Sequence, residues 1–198
     1  MDKKIILIGG APMAGKTFVA QKLLEKFGTP WISTDTIRDF IRELVPKEKY
    51  PIFWEFDGNV EEYVDKHSPQ EIFENHHRQS LAVWEGIEIW INKTHTWQSY
   101  VIEGVAIIPQ MVKGNLANDP RIKPIFLYDN NRDRILDVIH TRGVWNGALQ
   151  YPDKFNEKYV EWVLIFNEWI KKECEKYGYP LIEVGDRSTL LERVLNYI

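Results

Sequence analysis

An eight-residue glycine-rich motif near the start of the chain constrains the fold more than any other feature of the sequence. Residues 10–17 read Gly-Ala-Pro-Met-Ala-Gly-Lys-Thr and fit the pattern G-x-x-x-x-G-K-[ST]. The motif directly follows an apolar run at residues 5–8 and directly precedes a helical pattern. A strand, a glycine-rich turn and a helix N-terminus together point several backbone N–H groups at one place, where the helix dipole also favours an anion. This context predicts a phosphate-binding loop at the first turn of an α/β domain.

The residues of the motif suit a nucleoside triphosphate, and we expect ATP as the ligand. Lys16 is long enough to reach the β- and γ-phosphates, and the Thr17 hydroxyl is a suitable ligand for Mg²⁺. The alternative is a chance match in an ordinary glycine turn, which the strand before the motif and the helix after it disfavour. The predicted nucleotide-binding residues are Gly10, Ala11, Pro12, Met13, Ala14, Gly15, Lys16 and Thr17.

Strands and helices alternate along the chain. Most of the strand candidates are continuous apolar runs, as expected when helices cover both faces of a parallel sheet. The candidates lie at residues 4–9, 30–33, 100–105, 122–128 and 180–184. Helical patterns lie at 17–27, 36–45, 68–93, 131–141, 155–170 and 189–197. The alternation predicts an α/β fold, a doubly wound five-stranded parallel sheet.

No linker or internal repeat divides the sequence, so we expect residues 1–198 to form a single domain. Far more residues separate the second strand from the third than one crossover helix needs, and we interpret 46–98 as an inserted helical cap beside the nucleotide cleft. The stretch 46–66 is the least regular part of the chain. The segment 129–150 follows the fourth strand and is interpreted as a lid over the nucleotide, with Gly143 and Gly147 as hinges.

Charge and cysteine content limit the classes to which the chain can belong. The net charge of −4 gives no support to a nucleic-acid partner, and no apolar run is long enough for a membrane span. One cysteine, Cys174, cannot form an internal disulfide, and the first strand begins too early to leave room for a signal peptide. We therefore expect a cytoplasmic protein, as a monomer or a homodimer.

Acidic and basic residues follow the second strand at the edge where a doubly wound sheet places its ligand. Asp35 is suited to accept a proton from the hydroxyl of an acceptor substrate. Arg38, one helical turn later, offers a guanidinium fork to an anionic group on that substrate. The alternative is that Ser33 or Asp35 only caps the helix and Arg38 is a solvated charge.

A second acid ends the third strand. Glu103 follows an apolar run and should lie at the same edge, against the substrate and close enough to hold Mg²⁺ through a water. The alternative is a charge that only marks the end of the strand.

Two arginines after the fourth strand are candidates for the lid. Arg134 and Arg142 are eight residues apart, roughly 12 Å along a helix. On a helix that closes over ATP they would contact the nucleotide and neutralise charge on the transferring phosphoryl group, so both are predicted to be catalytic. The alternative is a surface helix held by ion pairs around Asp133.

Histidines and aromatic residues outside these motifs are ambiguous. His76 and His77 are adjacent, so their rings point in different directions and cannot share a metal; His77 or Arg78 is a weaker candidate for the acceptor pocket. Aromatic residues at 50–56 either line that pocket or, as we favour, pack inside the cap. The apolar face at 155–170 is interpreted as core rather than as a dimer surface.

Taken together, four features resemble the P-loop small-molecule kinases. They are the phosphate loop, Ser-Thr-Asp-x-Ile-Arg at 33–38, Val-Ile-Glu-Gly-Val at 101–105 and the arginine-bearing helix after the fourth strand. Within that group the chain is most similar to the 2-phosphoglycerate kinase type, which is related to chloramphenicol phosphotransferase, zeta toxin and polynucleotide kinase. The similarity covers most of the chain outside 46–66.

The resemblance implies a P-loop NTPase fold like that of nucleoside and shikimate kinases. It implies Mg²⁺-dependent transfer of the ATP γ-phosphoryl group to a hydroxyl of a small, anionic metabolite. It gives Asp35 the role of base, Arg38 that of the arginine that anchors the acceptor, and Arg134 and Arg142 those of lid arginines.

The sequence also differs from the family pattern. Ala106 stands where a histidine usually follows Glu-Gly-Val, and the longer members carry an extra N-terminal module. Other functions therefore stay open. These are a nucleoside, nucleotide or polynucleotide 5′-kinase, a nucleotide-dependent regulator or toxin-like kinase, and a module that binds ATP without turnover.

Overall fold

A five-stranded parallel sheet lies at the centre of the fold in a computed structural model that describes residues 3–55, 58–143 and 151–198. Its strands are β1 Ile5–Gly10, β2 Trp31–Ser33, β3 Tyr100–Glu103, β4 Ile122–Tyr128 and β5 Leu181–Glu183. They lie in the order β2-β3-β1-β4-β5. The doubly wound five-stranded parallel sheet that the sequence predicts is confirmed.

Eight α-helices and one short 3₁₀ helix surround the sheet within the described residues. The helices are α1 Lys16–Phe27, α2 Thr34–Leu44, α3 Val60–Lys66, α4 Pro69–Lys93, α5 Pro109–Asn115, α6 Arg132–Arg142, α7 Asp153–Tyr177 and α8 Arg187–Leu195, and the 3₁₀ helix is Pro51–Trp54. Helices α3 and α5 were not predicted from the sequence, because each has only seven residues and too few turns for a periodic pattern.

Two apolar layers cover the two faces of the sheet. One is formed by α1 and α8, whose buried residues include Val19, Leu23 and Leu190. The other contains α4 and α7 and is much larger. Trp162 and Phe166 of α7 are at most 1% exposed, so the interpretation of residues 155–170 as core is confirmed.

The register of the sheet sets where the site forms. Glu103, the last residue of β3, is aligned with Ile8 of β1 on one side and with Ser33 of β2 on the other. The phosphate loop follows β1 and the acidic segment follows β2, so all three carboxyl ends meet at one edge of the sheet. This is the edge at which open α/β sheets bind their ligands.

The segments interpreted as cap and lid contain regular helices. Residues 46–98 include the 3₁₀ helix, α3 and α4, and residues 129–150 include α6. Residues 144–150, with the predicted hinge Gly147, lie outside the described residues, as does Phe56. In the part of the chain that the structure describes, no helix combines the length and apolar character needed to cross a membrane.

Candidate active site

The phosphate loop joins β1 directly to α1. Gly10 ends the strand at φ 138°, and a Cβ there would lie 2.1 Å from the backbone oxygen of Leu127, so only glycine fits against the neighbouring strand. Gly15 precedes α1 in the left-handed conformation, at φ 75°. The first backbone N–H groups of α1 have no partner within the helix and therefore remain available to an anion in the loop.

Lys16 lies within this loop rather than in solvent. Its side chain is buried, and Nζ donates a hydrogen bond to the backbone oxygen of Ala11 at 2.7 Å. Burial lowers the pKa of Lys16, while the negative charges of Glu103 and Asp35 oppose that shift. Lys16 is thus desolvated, while the carboxylates beside it favour its charged form.

Thr17 and Glu103 are in direct contact at the inner end of the site. The Thr17 hydroxyl donates to Oε1 of Glu103 at 3.0 Å, and Glu103 is only 4% exposed. Burial raises the pKa of the Glu103 carboxyl, and Lys16 and the Thr17 hydroxyl oppose the rise. A hydroxyl and a carboxylate side by side are oxygen ligands of the kind that Mg²⁺ prefers.

Asp35 and Arg38 line the outer part of the same cleft. Ser33 caps α2, since its hydroxyl accepts from the backbone N–H of Thr36 at 3.0 Å. Asp35 is therefore not the capping residue, and its side chain stays 63% exposed. Its Oδ1 accepts from Nη1 of Arg38 at 3.0 Å, while Nε and Nη2 of Arg38 donate to Asp39.

These predicted residues enclose a single cleft of about 280 Å³. Of the sequence candidates, the cleft is lined by Pro12, Met13, Gly15, Lys16, Thr17, Asp35, Arg38, Glu103 and Arg142. The structure thus brings together segments that are about 90 residues apart in the chain.

The two lid arginines have different surroundings. Arg142, the last residue of α6, lines the cleft. Arg134 is not among the described residues that line it. Instead, Nε and Nη2 of Arg134 donate to the two carboxylate oxygens of Asp129 at 2.6 and 2.7 Å, and the Asp129 side chain is 5% exposed. The catalytic role of Arg134 and its contact with the nucleotide stay predictions.

Five residues of the cleft wall were not among the sequence candidates, and two of them, Gly104 and Val105, directly follow β3. His76 comes from α4, and Tyr159 and Trp162 come from α7. The weaker candidates point elsewhere: His77 packs against aromatic rings of the core, and Arg78 donates to Glu55 and Asn75. Helical periodicity alone could have placed Tyr159 and Trp162 on one buried face, but not against the nucleotide cleft.

The aromatic residues at 50–56 are not part of this wall, as far as they are described. Phe53 is 5% exposed and belongs to the core, with Ile52 and Trp54 packed against the same apolar cluster. None of the described residues of this group lines the cleft. The structure therefore favours packing within the cap over a role in the acceptor pocket.

Several known proteins with similar sequences are named as kinases. A 2-phosphoglycerate kinase from Methanocaldococcus jannaschii is 25% identical over 196 residues, which are 98% of this chain and 62% of that protein. A 2-phosphoglycerate kinase from Methanothermobacter thermautotrophicus is 28% identical over 200 residues, which are 96% of this chain and 64% of that protein. The chain thus spans less than two thirds of the length of these relatives. No protein-family model matches the chain.

Solved structures with the same fold include kinases. A gluconokinase from Sinorhizobium meliloti has a TM-score of 0.54 at 14% identity and matches 98% of this chain and 90% of its own. Deoxyadenosine kinase from M. mycoides with bound dATP has a TM-score of 0.54 at 15% identity and matches 98% of this chain and 97% of its own. The fold of this chain is therefore that of P-loop kinases of the nucleoside-kinase type.

Proposed function

We propose that the chain is an ATP-dependent kinase that transfers the γ-phosphoryl group to a hydroxyl of a small, anionic metabolite. One observation carries the proposal: a carboxylate, Asp35, lines the same cleft as Lys16 and Thr17 of the phosphate loop. A binding protein needs the loop alone, whereas phosphoryl transfer also needs a group that accepts the proton of the attacking alcohol. The kinase relatives and the kinase fold support the same conclusion.

Each side chain of the cleft then has a role in the transfer. Asp35 accepts the proton of the acceptor hydroxyl, and Arg38 holds the Asp35 carboxylate by an ion pair. Lys16 and Arg142 offset the charge that develops on the transferred group. The tyrosine and tryptophan rings of α7 help to exclude water from the reacting centre.

The residues at the inner end of the cleft fit Mg²⁺. Thr17 supplies a hydroxyl and Glu103 a buried carboxylate, whereas the described residues contain no group of three or more His, Cys, Asp or Glu side chains that would hold a metal on its own. Mg²⁺ is often bound by one or two protein oxygens together with nucleotide phosphates. When bound, the ion would neutralise phosphate charge.

An anionic acceptor agrees with the charges of the outer cleft. Arg38 and Arg142 are both found there, and an arginine fork binds carboxylate or phosphate in two-point contacts. The relatives make 2-phosphoglycerate the first acceptor to test. We also propose a cytoplasmic location, because the single cysteine, Cys174, is a buried free thiol.

Replacement of Asp35 by asparagine tests the proposal. We expect Asp35→Asn to lower turnover by about 10²-fold or more, since a positioned base contributes about 10²- to 10⁴-fold, while nucleotide affinity stays close to that of the wild type. Turnover is measured by coupled ADP release and affinity by calorimetry.

Asp39→Asn is the matched control. Asp39 also accepts hydrogen bonds from Arg38 but does not line the cleft, and an asparagine oxygen there can still accept them. We expect it to keep most of its turnover. Equal turnover in Asp35→Asn and the wild type would refute the role of Asp35 as base.

The acceptor is identified by a screen of ADP release with Mg²⁺ and ATP over hydroxy acids, sugars, nucleosides and polynucleotide 5′ ends. We expect acceptor-dependent ADP release with an anionic hydroxy compound. If nucleosides are the only compounds that cause ADP release, the proposed function changes to that of a nucleoside kinase.

A further inference from the structure

A second, smaller cavity opens beside the outer end of the cleft. It shares Asp35, Arg38, His76 and Val105 with the cleft and measures about 10 Å³. This volume is close to the lower limit for a single water molecule, or for one oxygen atom of a ligand. We call it the side cavity; its other lining residues are Thr34, Gln79, Ser80, Val83 and Ala106.

A hydroxyl in the side cavity has no partner. Thr34 is 1% exposed, and its Oγ1 forms no hydrogen bond with any of the described residues. Its backbone begins α2, but the helix is capped by Ser33, so the Thr34 hydroxyl is not needed as a cap. Buried hydroxyls in native proteins almost always have a hydrogen-bond partner, and an exception calls for a ligand or a water.

The backbone beside Thr34 leaves room for this hydroxyl. A Cβ on Gly104 would lie 1.8 Å from Thr34 Oγ1, and Gly104 has φ 152°, a value that other residues rarely adopt. Gly104 also lines the main cleft. The Thr34 hydroxyl therefore lies directly behind the wall of the nucleotide and acceptor site, and a larger residue at position 104 would displace it.

His76 forms another part of the wall of the side cavity, in an orientation fixed by ring stacking. Its ring stacks on Trp162 with centroids 4.5 Å apart, and Trp162 in turn meets Tyr159 edge to face at 4.8 Å. All three residues are at most 7% exposed. Burial lowers the pKa of His76 to about 3, so the imidazole is neutral near pH 7 and offers one N–H donor.

We propose that Thr34 and His76, together with Arg38, form a subsite that binds one oxygen of a carboxylate on the acceptor. The proposal rests on the proposed kinase function and adds residues that determine its specificity. A hydroxyl donor, a neutral imidazole and a guanidinium around a space of one oxygen atom suit an oxyanion better than a cation or an apolar group. The rest of the acceptor then extends into the main cleft toward Asp35.

The test uses pairs of compounds that differ only in a carboxylate. One pair is 2-phosphoglycerate and glycerol 2-phosphate, and the other is glycerate and glycerol. Each compound is titrated by calorimetry into the full chain with ADP and Mg²⁺ and is also assayed for ADP release with ATP. We expect the wild type to prefer the carboxylate member of at least one pair by about tenfold or more, as a hydrogen-bonded charged group would give.

Thr34→Val removes the hydroxyl and keeps the shape of the side chain. We expect it to reduce the carboxylate preference to about threefold or less, with unchanged affinity for ADP and no loss of thermal stability, because the hydroxyl has no protein partner to lose. Thr36→Val is the matched control, since Thr36 is exposed on the same helix and its hydroxyl is hydrogen-bonded to Ser33 Oγ. His76→Leu, with His77→Leu as its control, tests the other side of the subsite in the same way.

The outcomes separate this inference from the proposed function. ADP release without any carboxylate preference, or a preference that Thr34→Val leaves intact, overturns the subsite and leaves the kinase proposal standing. Loss of thermal stability in Thr34→Val with unchanged acceptor affinity also overturns it and assigns the hydroxyl to an ordered water. Carboxylate binding that depends on Thr34, without ADP release from any acceptor, supports the subsite and refutes the kinase proposal.

Discussion

Two arginines of α6, Arg134 and Arg142, contact different parts of the molecule. Arg134 holds the buried Asp129 by two hydrogen bonds, whereas Arg142, eight residues later, lines the cleft. Asn167 of α7 also bonds the Asp129 backbone, through both its Oδ1 and its Nδ2. Arg134 therefore connects the start of α6 to the core, whereas Arg142 lies in the cleft, where we propose that it offsets charge on the transferred phosphoryl group.

The two arginines should differ in what their removal costs. Arg134→Ala leaves the Asp129 carboxylate buried without its cation, so we expect a loss of about 2 kcal/mol in the free energy of unfolding, between the values for exposed and buried pairs. Arg142 is exposed, so Arg142→Ala should keep the stability of the wild type. Its turnover should fall by about tenfold or more, because a charge that stabilises the transferring phosphoryl group is lost. Urea unfolding and ADP release measure the two effects. A loss of turnover in Arg134→Ala together with a loss of stability in Arg142→Ala would show that Arg134 acts on the nucleotide and that Arg142 stabilises the fold.

Residues inside a recognisable motif could be placed from the sequence, and isolated residues could not. Lys16, Thr17 and Asp35 were predictable because the end of a strand and the start of a helix fix their direction. His76 had no such context, since its neighbour His77 is chemically identical and only the packing of α4 on α7 decides which ring enters the cleft. The contact between Arg134 and Asp129 was likewise not predictable, because it depends on where Asp129 is buried.

At the level of elements, helix caps connect local sequence to the position of the side chains that line the cleft. Ser33 caps α2, which carries Asp35 and Arg38. Ser68 caps α4 by a reciprocal capping box with Glu71, which the sequence had indicated. Both helices gain stability from their caps, but of the two only α2 has its first turn at the cleft, through Asp35.

Removal of these two caps should have the same effect on stability and different effects on activity. We expect Ser33→Ala and Ser68→Ala each to lower the free energy of unfolding by about 1 kcal/mol. Only Ser33→Ala should also raise the KM of the acceptor, because the first turn of α2 frays beside Asp35. Denaturant unfolding and acceptor-dependent ADP release provide the comparison, and an equal change of KM in both variants would contradict it.

Long elements with clear ends were predictable, and short ones were not. The capping box of α4 and the apolar face of α7 predicted helices that the structure has at Pro69–Lys93 and Asp153–Tyr177. The seven residues of α3 follow the N-cap Asn59, whose side chain accepts from two backbone N–H groups, but the surrounding stretch has no periodic pattern. Such a helix is stabilised by its tertiary contacts with α7 more than by its own sequence.

At the level of the whole molecule, burial of His76 couples protonation to folding. The pKa of this imidazole falls from its ordinary 6.5 to about 3 through burial and, to a lesser degree, the charge of Arg38. Between these two pH values the unfolded chain binds a proton that the folded chain does not, so the free energy of unfolding decreases as the pH falls. At pH 5 the loss from this one group is about 2 kcal/mol.

Replacement of His76 should therefore make folding less sensitive to acid. We expect the difference in the free energy of unfolding between pH 7 and pH 5 to be about 2 kcal/mol smaller in His76→Gln than in the wild type. His77→Gln should show a smaller change, because His77 is only half-buried and the charge of Glu173 opposes the lowering of its pKa. Urea titrations at both pH values measure the difference, and equal pH dependence in His76→Gln and the wild type would contradict the assignment.

The overall topology followed from the sequence, whereas the outer wall of the cleft did not. Continuous apolar strands alternating with helices leave few arrangements other than a doubly wound parallel sheet, and the phosphate loop fixes the edge at which ligands bind. The wall depends on how α4 and α7 pack on each other although residues 94–152 separate them in the chain. Neither helix carries a local signal for that pairing, because each presents a generic apolar face to the other.

The distance along the chain between the phosphate loop and the rings of α7 has a consequence during protein synthesis. A ribosome that adds about 5 to 20 residues per second completes the loop roughly 7 to 30 seconds before it reaches Trp162. In that interval the nascent polypeptide contains the residues of the phosphate loop but lacks one side of the cleft. The cleft is thus completed late in translation, when α7 packs onto strands that were made long before it.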